Sequence, residues 1–132
     1  MSALLQALQP LFATEGEAPV HLIGQLIGLD YSSSPHLAEL LGNEAQFRAR
    51  AFDAVALYLR RLGESRPVVV VVLDDLHWAD EGSLDFMRFV LQRDVDVPML
   101  SVTLTRQTVY EQHADWMRGE PRHTRLDLKP LD

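Results

Sequence analysis

Cysteine is absent from this 132-residue chain. That excludes a disulfide framework and any zinc site built on thiolates, and it suits a reducing compartment. Positive charge is also scarce: twelve lysines and arginines face nineteen acids, a formal net charge of −7. A protein that neutralises phosphate backbones needs a basic face, so general nucleic-acid binding is not supported. No apolar run approaches the roughly 18–20 residues that span a bilayer, so no membrane partner is expected. The opening MSALLQALQPLF lacks the basic start and small-residue cleavage site of a secretory signal. These absences predict a cytoplasmic protein. Two catalytic signatures are missing as well. There is no G-x-S-x-G nucleophile elbow, and the histidines at 21, 36, 77, 113 and 123 show no H-E-x-x-H or comparable metal spacing.

What remains is the composition of one ordinary globular domain, 47% hydrophobic and 23% charged, long enough to bury a core. No internal repeat is visible. The first 66 residues read as helical. Ser2 to Phe12 is a short apolar segment interrupted by Pro10, and ATEGEAP is a loop. Val20 to Leu29 is a short amphipathic helix weakened by two glycines. Ser34 offers an N-cap with Pro35 at the first helical position, and Gly42 stands where a closing glycine belongs. The longest helix starts after the Asn43 cap, with Gln46 three residues on, and ends at Gly63 with Arg60 and Arg61 in its last turn. Phe47, Ala51, Val55, Tyr58 and Leu62 recur at steps of three and four, which predicts one buried face.

The texture changes at Pro67. Val68 to Leu73 is an unbroken apolar run ending in two aspartates. Six residues at about 3.3 Å each give a strand of about 20 Å. Its lack of polar alternation predicts a strand covered on both faces, as in a parallel sheet. Glu81 to Gln92 reads as a helix capped by Asp80. Met99 to Leu104 is a second strand, Gln107 to Arg118 a mostly helical connection, and Thr124 to Leu128 a third strand. Alternating strands and helices predict βαβ units, an α/β fold with a parallel sheet flanked by helices.

Ligands of open parallel sheets bind at the carboxyl ends of the strands. Asp74 and Asp75 occupy one such end. A carboxylate there can hold Mg²⁺, which takes a few hard oxygen ligands and keeps several waters. A neighbouring acid can orient or deprotonate an attacking water. The competing reading of the pair is a turn or a helix cap. Thr105 and Arg106 close the next strand, where an arginine can stabilise charge on a phosphate or simply pair with a surface acid.

The run VVVVVLDDLHWADEGSLDFMRFVL resembles the Walker B region of the STAND branch of AAA+-related P-loop ATPases. More closely, it is similar to the origin-recognition-like AAA ATPase domain of large bacterial signalling proteins, where an apolar strand, an acidic pair and a His-Trp-Ala-Asp segment precede a Ser-Leu helix. The Thr105–Arg106 pair matches the family's sensor 1. The closing LDLKPL resembles the last core strand and the Pro-Leu step into the lid. HLIGQLIGLDYSSSPHL and the RARAFDAVALYLRRL helix resemble the helical insert of members fused to nucleotide cyclase domains. The resemblance implies that Asp74 is the Mg²⁺ carboxylate and Asp75 the water-activating acid. Some relatives have Glu before Asp at this pair, which leaves the two roles exchangeable. It implies ATP with Mg²⁺ as cofactor, bound by Asp74, Asp75, Thr105 and Arg106, with Asp75 and Arg106 catalytic. For His77 a structural role and a nucleotide-site role both stand; Trp78 reads as packing.

One departure matters as much as the match. A P-loop needs G-x-x-x-x-G-K-[ST], whose amides and lysine hold the phosphates. The chain has no Gly-Lys pair and a single lysine, Lys129. Gly24 and Gly28 lie in an amphipathic segment with no basic residue following. The expectation is therefore a partial P-loop NTPase core cut at both ends. Residues 1–66 would be a helical, insert-like segment between the missing P-loop and Walker B, and residues 67–132 the stretch from Walker B to sensor 1. Its predicted function is that of a fragment of an ATP-binding signalling ATPase, inactive in isolation, with other domains or chains completing the core. The alternative is a non-enzymatic interaction module that keeps the sheet and has lost nucleotide chemistry.

Overall fold

The computed structural model describes residues 3–92 and 98–129. The Pro-Leu step at 130 and 131 lies outside them. The chain divides into two compact units, Met1–Val71 with Val95–Ser101, and Val72–Asp94 with Val102–Asp132.

The first unit is mainly helical. Helix α1 (Ala3–Leu8) runs into a 3₁₀ turn (Gln9–Phe12) at Pro10, whose ring supplies no amide to continue an α-helical ladder. Helix α2 (Ala18–Leu26) starts two residues before the expected Val20. It stops at Gly28, which adopts a φ of +86°. The Gly28 amide bonds to the Gln25 carbonyl and the Leu29 amide to the Gly24 carbonyl, the paired closure that favours a left-handed glycine. Gly24 has a different role. A Cβ on it would stand 2.3 Å from Cε2 of Tyr31, so the absent side chain lets the ring approach the helix.

The helix expected after Ser34 does not form. Residues 35–42 make successive turns instead, and the Ser34 hydroxyl accepts from the amide of His36, two residues on. A side chain so engaged stabilises a turn in competition with a helix start. The long helix α3 (Glu44–Glu64) begins as read, with Asn43 Oδ1 accepting from the Gln46 amide at 3.1 Å. Its buried residues are Ala51, Phe52, Ala54, Ala56, Leu59 and Gly63. The buried face is thus rotated and wider than the expected stripe, of which Ala51 alone is fully buried while Phe47, Val55, Tyr58 and Leu62 are half-buried. Small alanines allow α2 to lie close against α3. Phe12, Val20, Ile23 and Ala54 make the core of this unit.

Strands β1 (Val69–Leu73) and β2 (Met99–Thr103) form a two-stranded sheet. The Val69 amide bonds to the Pro98 carbonyl and the Leu104 amide to the Leu73 carbonyl. Partner numbers rise together, so the pairing is parallel, and a parallel pair requires a long crossover. That crossover contains α4 (Glu81–Gln92), whose first turn is capped by Asp80 Oδ1 accepting from the Ser83 amide at 2.7 Å. The fold class is α/β, a parallel sheet with helices and a partial core of the P-loop type.

Two expectations about the sheet need correction. The valine run is not covered on both faces: Val69 is buried, yet Val70 and Val72 are 53% and 61% exposed. With two strands paired among the described residues, the alternation of strand geometry reappears. The third strand is also absent. Thr124 to Leu128 takes no strand conformation, and Leu126 and Leu128 are exposed. Local contacts hold this segment instead: Arg125 pairs with Asp127 at 2.7 Å and lies over the Tyr110 ring. Helix α5 (Thr108–Gln112) is shorter than the connection read from sequence, and turns follow it. The core of the second unit gathers Leu76, Leu84, Met87, Val109, Trp116 and Met117.

Candidate functional site

The site is built where β1 and β2 end, wholly within the second unit. An apolar strand stops at Asp74 because two successive carboxylates cannot be buried without partners. Asp74 Oδ1 accepts the amide of Asp75 at 2.8 Å. Asp75 then takes the left-handed conformation, with φ 54° and ψ 39°, which aspartate tolerates better than most residues. This reversal starts a 3₁₀ turn, Leu76–Trp78. The turn drops Leu76 into the core and leaves both carboxylates exposed.

The second strand end is tied to the first. The Leu76 amide bonds to the Leu104 carbonyl at 3.0 Å, immediately after the Leu104-to-Leu73 bond at 2.8 Å. Thr105 and Arg106 therefore leave the sheet at the same edge as Asp74 and Asp75. The Thr105 hydroxyl donates to the Arg106 carbonyl at 3.3 Å. The Arg106 side chain is exposed and engages no acid among the described residues.

His77 and Trp78, neighbours in the same 3₁₀ turn, differ sharply in exposure. Trp78, read as packing, is 80% exposed. The His77 side chain is only 7% exposed, with Nδ1 3.7 Å from Asp75 Oδ1. Neither of its ring nitrogens has a hydrogen-bond partner among the described residues. Asp80 caps α4, as its position suggested.

Among the described residues no group of three or more histidines or carboxylates could hold a metal ion. An exposed carboxylate with one oxygen occupied by an amide still fits Mg²⁺, which commonly uses one or two carboxylates and takes its other ligands from water and phosphate. It does not fit a metal held by protein alone.

A second polar cluster, in the first unit, escaped sequence reasoning. Buried His21 and buried Ser34 meet with Nδ1 and Oγ 2.7 Å apart, and the His21 ring stacks on Tyr31 with centroids 4.7 Å apart. Burial, and after it the nearby His36, hold the His21 pKa below the usual 6.5. Thirteen residues separate the pair, and no sequence periodicity announces such a contact.

No helix among the described residues is long and apolar enough to cross a membrane. No curated protein and no solved structure matches the chain. A family model, the AAA ATPase domain, matches residues 2–102. The match takes in both aspartates and ends just before Thr105. Covering well over half of the sequence, it shows that the chain belongs to the AAA ATPase domain family.

Proposed function

We propose that this chain supplies the Walker B and sensor 1 residues of an ATP-driven signalling ATPase of the STAND type, working in the cytoplasm. Residues 1–66 act as a helical insert and residues 67–132 as the core from Walker B to sensor 1. Asp74 is the carboxylate that holds Mg²⁺, and Asp75 orients or deprotonates the attacking water. Thr105 and Arg106 face the terminal phosphate, where the guanidinium offsets developing charge. When bound, Mg²⁺ neutralises phosphate charge and fixes the phosphates for in-line attack. The observation that carries the reading is the Leu76-to-Leu104 hydrogen bond, which keeps the acidic pair and the arginine on one edge.

The phosphate cradle is the missing part. Most phosphate affinity in this fold comes from P-loop amides, the helix N-terminus beneath them and the P-loop lysine. The sequence has no such loop, so another domain or chain completes the core in the intact assembly. Two carboxylates repel a tetra-anionic nucleotide, and Mg²⁺ alone is a weak tether.

The test is an NMR titration of the chain with Mg²⁺ alone, beside equilibrium binding of a fluorescent ATP analogue with and without Mg²⁺. We expect Mg²⁺ to shift the amides of residues 74–77 with affinity on the order of millimolar, and Asp74→Asn to remove the response. The nucleotide should bind weakly or not at all, and hydrolysis should stay at background. A silent strand end on Mg²⁺ addition would sink the magnesium assignment. Micromolar MgATP binding that Asp74→Ala abolishes would show that the chain holds phosphates by itself.

One observation favours a second reading, a non-enzymatic interaction module. Val70, Val72 and Leu100 are exposed on the strands, a feature more usual of contact surfaces than of free ones. An unchanged Mg²⁺ titration together with specific capture of a partner would decide for it.

A further inference from the structure

We infer that His77 is a positioning residue for Asp75, its Nδ1–H donating to the Asp75 carboxylate to hold it in its working orientation. The inference rests on the reading of Asp75 as the water-activating acid.

His77 and Asp75 are unequally exposed to solvent. His77 is more than nine-tenths buried, while the Asp75 side chain is 70% exposed. A buried imidazole with both nitrogens unpartnered forgoes hydrogen bonds that water would have supplied, which is costly. Such a group persists where a partner is within reach. Asp75 is within reach: its Oδ1 stands 3.7 Å from Nδ1, beyond a hydrogen bond yet closable by a small side-chain rotation.

The backbone makes that approach possible. Asp75 is left-handed and Leu76–Trp78 is a single 3₁₀ turn, so residues 75 and 77 project from a tight reversal whose middle residue, Leu76, is anchored in the core. The imidazole is held by burial, and the exposed carboxylate has room to turn toward it. Trp78 covers one side of the histidine, with ring centroids 5.1 Å apart. A carboxylate left to solvent samples many rotamers. One accepting a hydrogen bond from a fixed donor keeps one oxygen occupied and presents the other. Carboxylates and histidines are commonly paired in this way to fix orientation and tautomer. Here the roles are exchanged, with the histidine orienting the acid.

The tautomer of His77 tests this without nucleotide. Long-range ¹H–¹⁵N spectra of the full chain at pH 8 are expected to show Nδ1 as the protonated nitrogen. Asp75→Gly removes the acceptor and suits a positive φ, so the fold is retained. The proton should then shift to Nε2, exchanging the two ¹⁵N resonances between protonated and bare positions. Protonation at Nε2 in both proteins, or at Nδ1 in both, overturns the inference. A second pair of variants reads the consequence. His77→Asn, whose amide reaches from near the Nδ1 position, should keep the Mg²⁺-induced shift of the Asp75 amide within about twofold of wild type. His77→Leu should change it severalfold. Loss of the Mg²⁺ response in the wild type would instead count against the magnesium assignment, and the tautomer result would still decide for or against His77.

Discussion

Replacing Gly24 with alanine forces a methyl group to 2.3 and 2.7 Å from two carbons of the Tyr31 ring and 3.2 Å from Cδ2 of Leu4. The ring cannot swing away freely, because it stacks on His21 and its own amide donates to Gln25 at 2.9 Å. Alanine gains up to about 1 kcal/mol of helix propensity, but overpacking costs about 1–3 kcal/mol. The variant should lose about 1–2 kcal/mol, read as a lower urea midpoint. His21 gives a pH signature. Its folded pKa is lowered by burial and by His36, with Glu17 acting the other way. The unfolded chain therefore binds more protons, so this contribution is full above about pH 6.5 and is lost as pH falls. Urea titrations between pH 8 and 5 should show stability declining below about 6.5, and His21→Gln should flatten the decline by up to one proton.

Whole elements were legible in sequence where one strong local signal met no competitor. Asn43 and Asp80 announced helix starts because an Asx side chain at that position satisfies an otherwise orphaned amide, and both do so here. Asn43→Ala should cost about 1 kcal/mol, measurable as a fall in the helical circular dichroism midpoint. The segment after Ser34 carried the same kind of signal, but the hydroxyl is committed to His36 and His21, a tertiary pairing that no window of sequence contains. Thr124 to Leu128 has strand composition, yet a strand requires a neighbour with free backbone groups, and composition is silent about neighbours. The site divides along the same line. The shared edge of Asp74, Asp75, Thr105 and Arg106 follows from where apolar runs end and from parallel pairing. The burial of His77 and the exposure of Trp78 depend on a left-handed turn at Asp75 that a sequence without glycine there does not advertise.

For the molecule as a whole, a net charge of −7 and a set of exposed valines and leucines on β1 and β2 pull in opposite directions. Like charge keeps copies apart, whereas apolar strand residues favour association. Val72→Lys, at a position 61% exposed, should therefore change the unfolding free energy from urea titration by no more than about 0.5 kcal/mol and lower concentration-dependent light scattering. An unchanged scattering profile would show that β1 does not drive association. The parallel pairing of the strands has a further consequence, in time rather than space. Ribosomes add roughly 5–20 residues per second, and about thirty residues separate Val69 from Met99. For about two to six seconds of every synthesis, the valine strand has left the ribosome while the strand that will pair with it is still being made. A nascent chain in that interval presents its most aggregation-prone segment without its mate, so slowed elongation between the two strands should lengthen its dependence on chaperones.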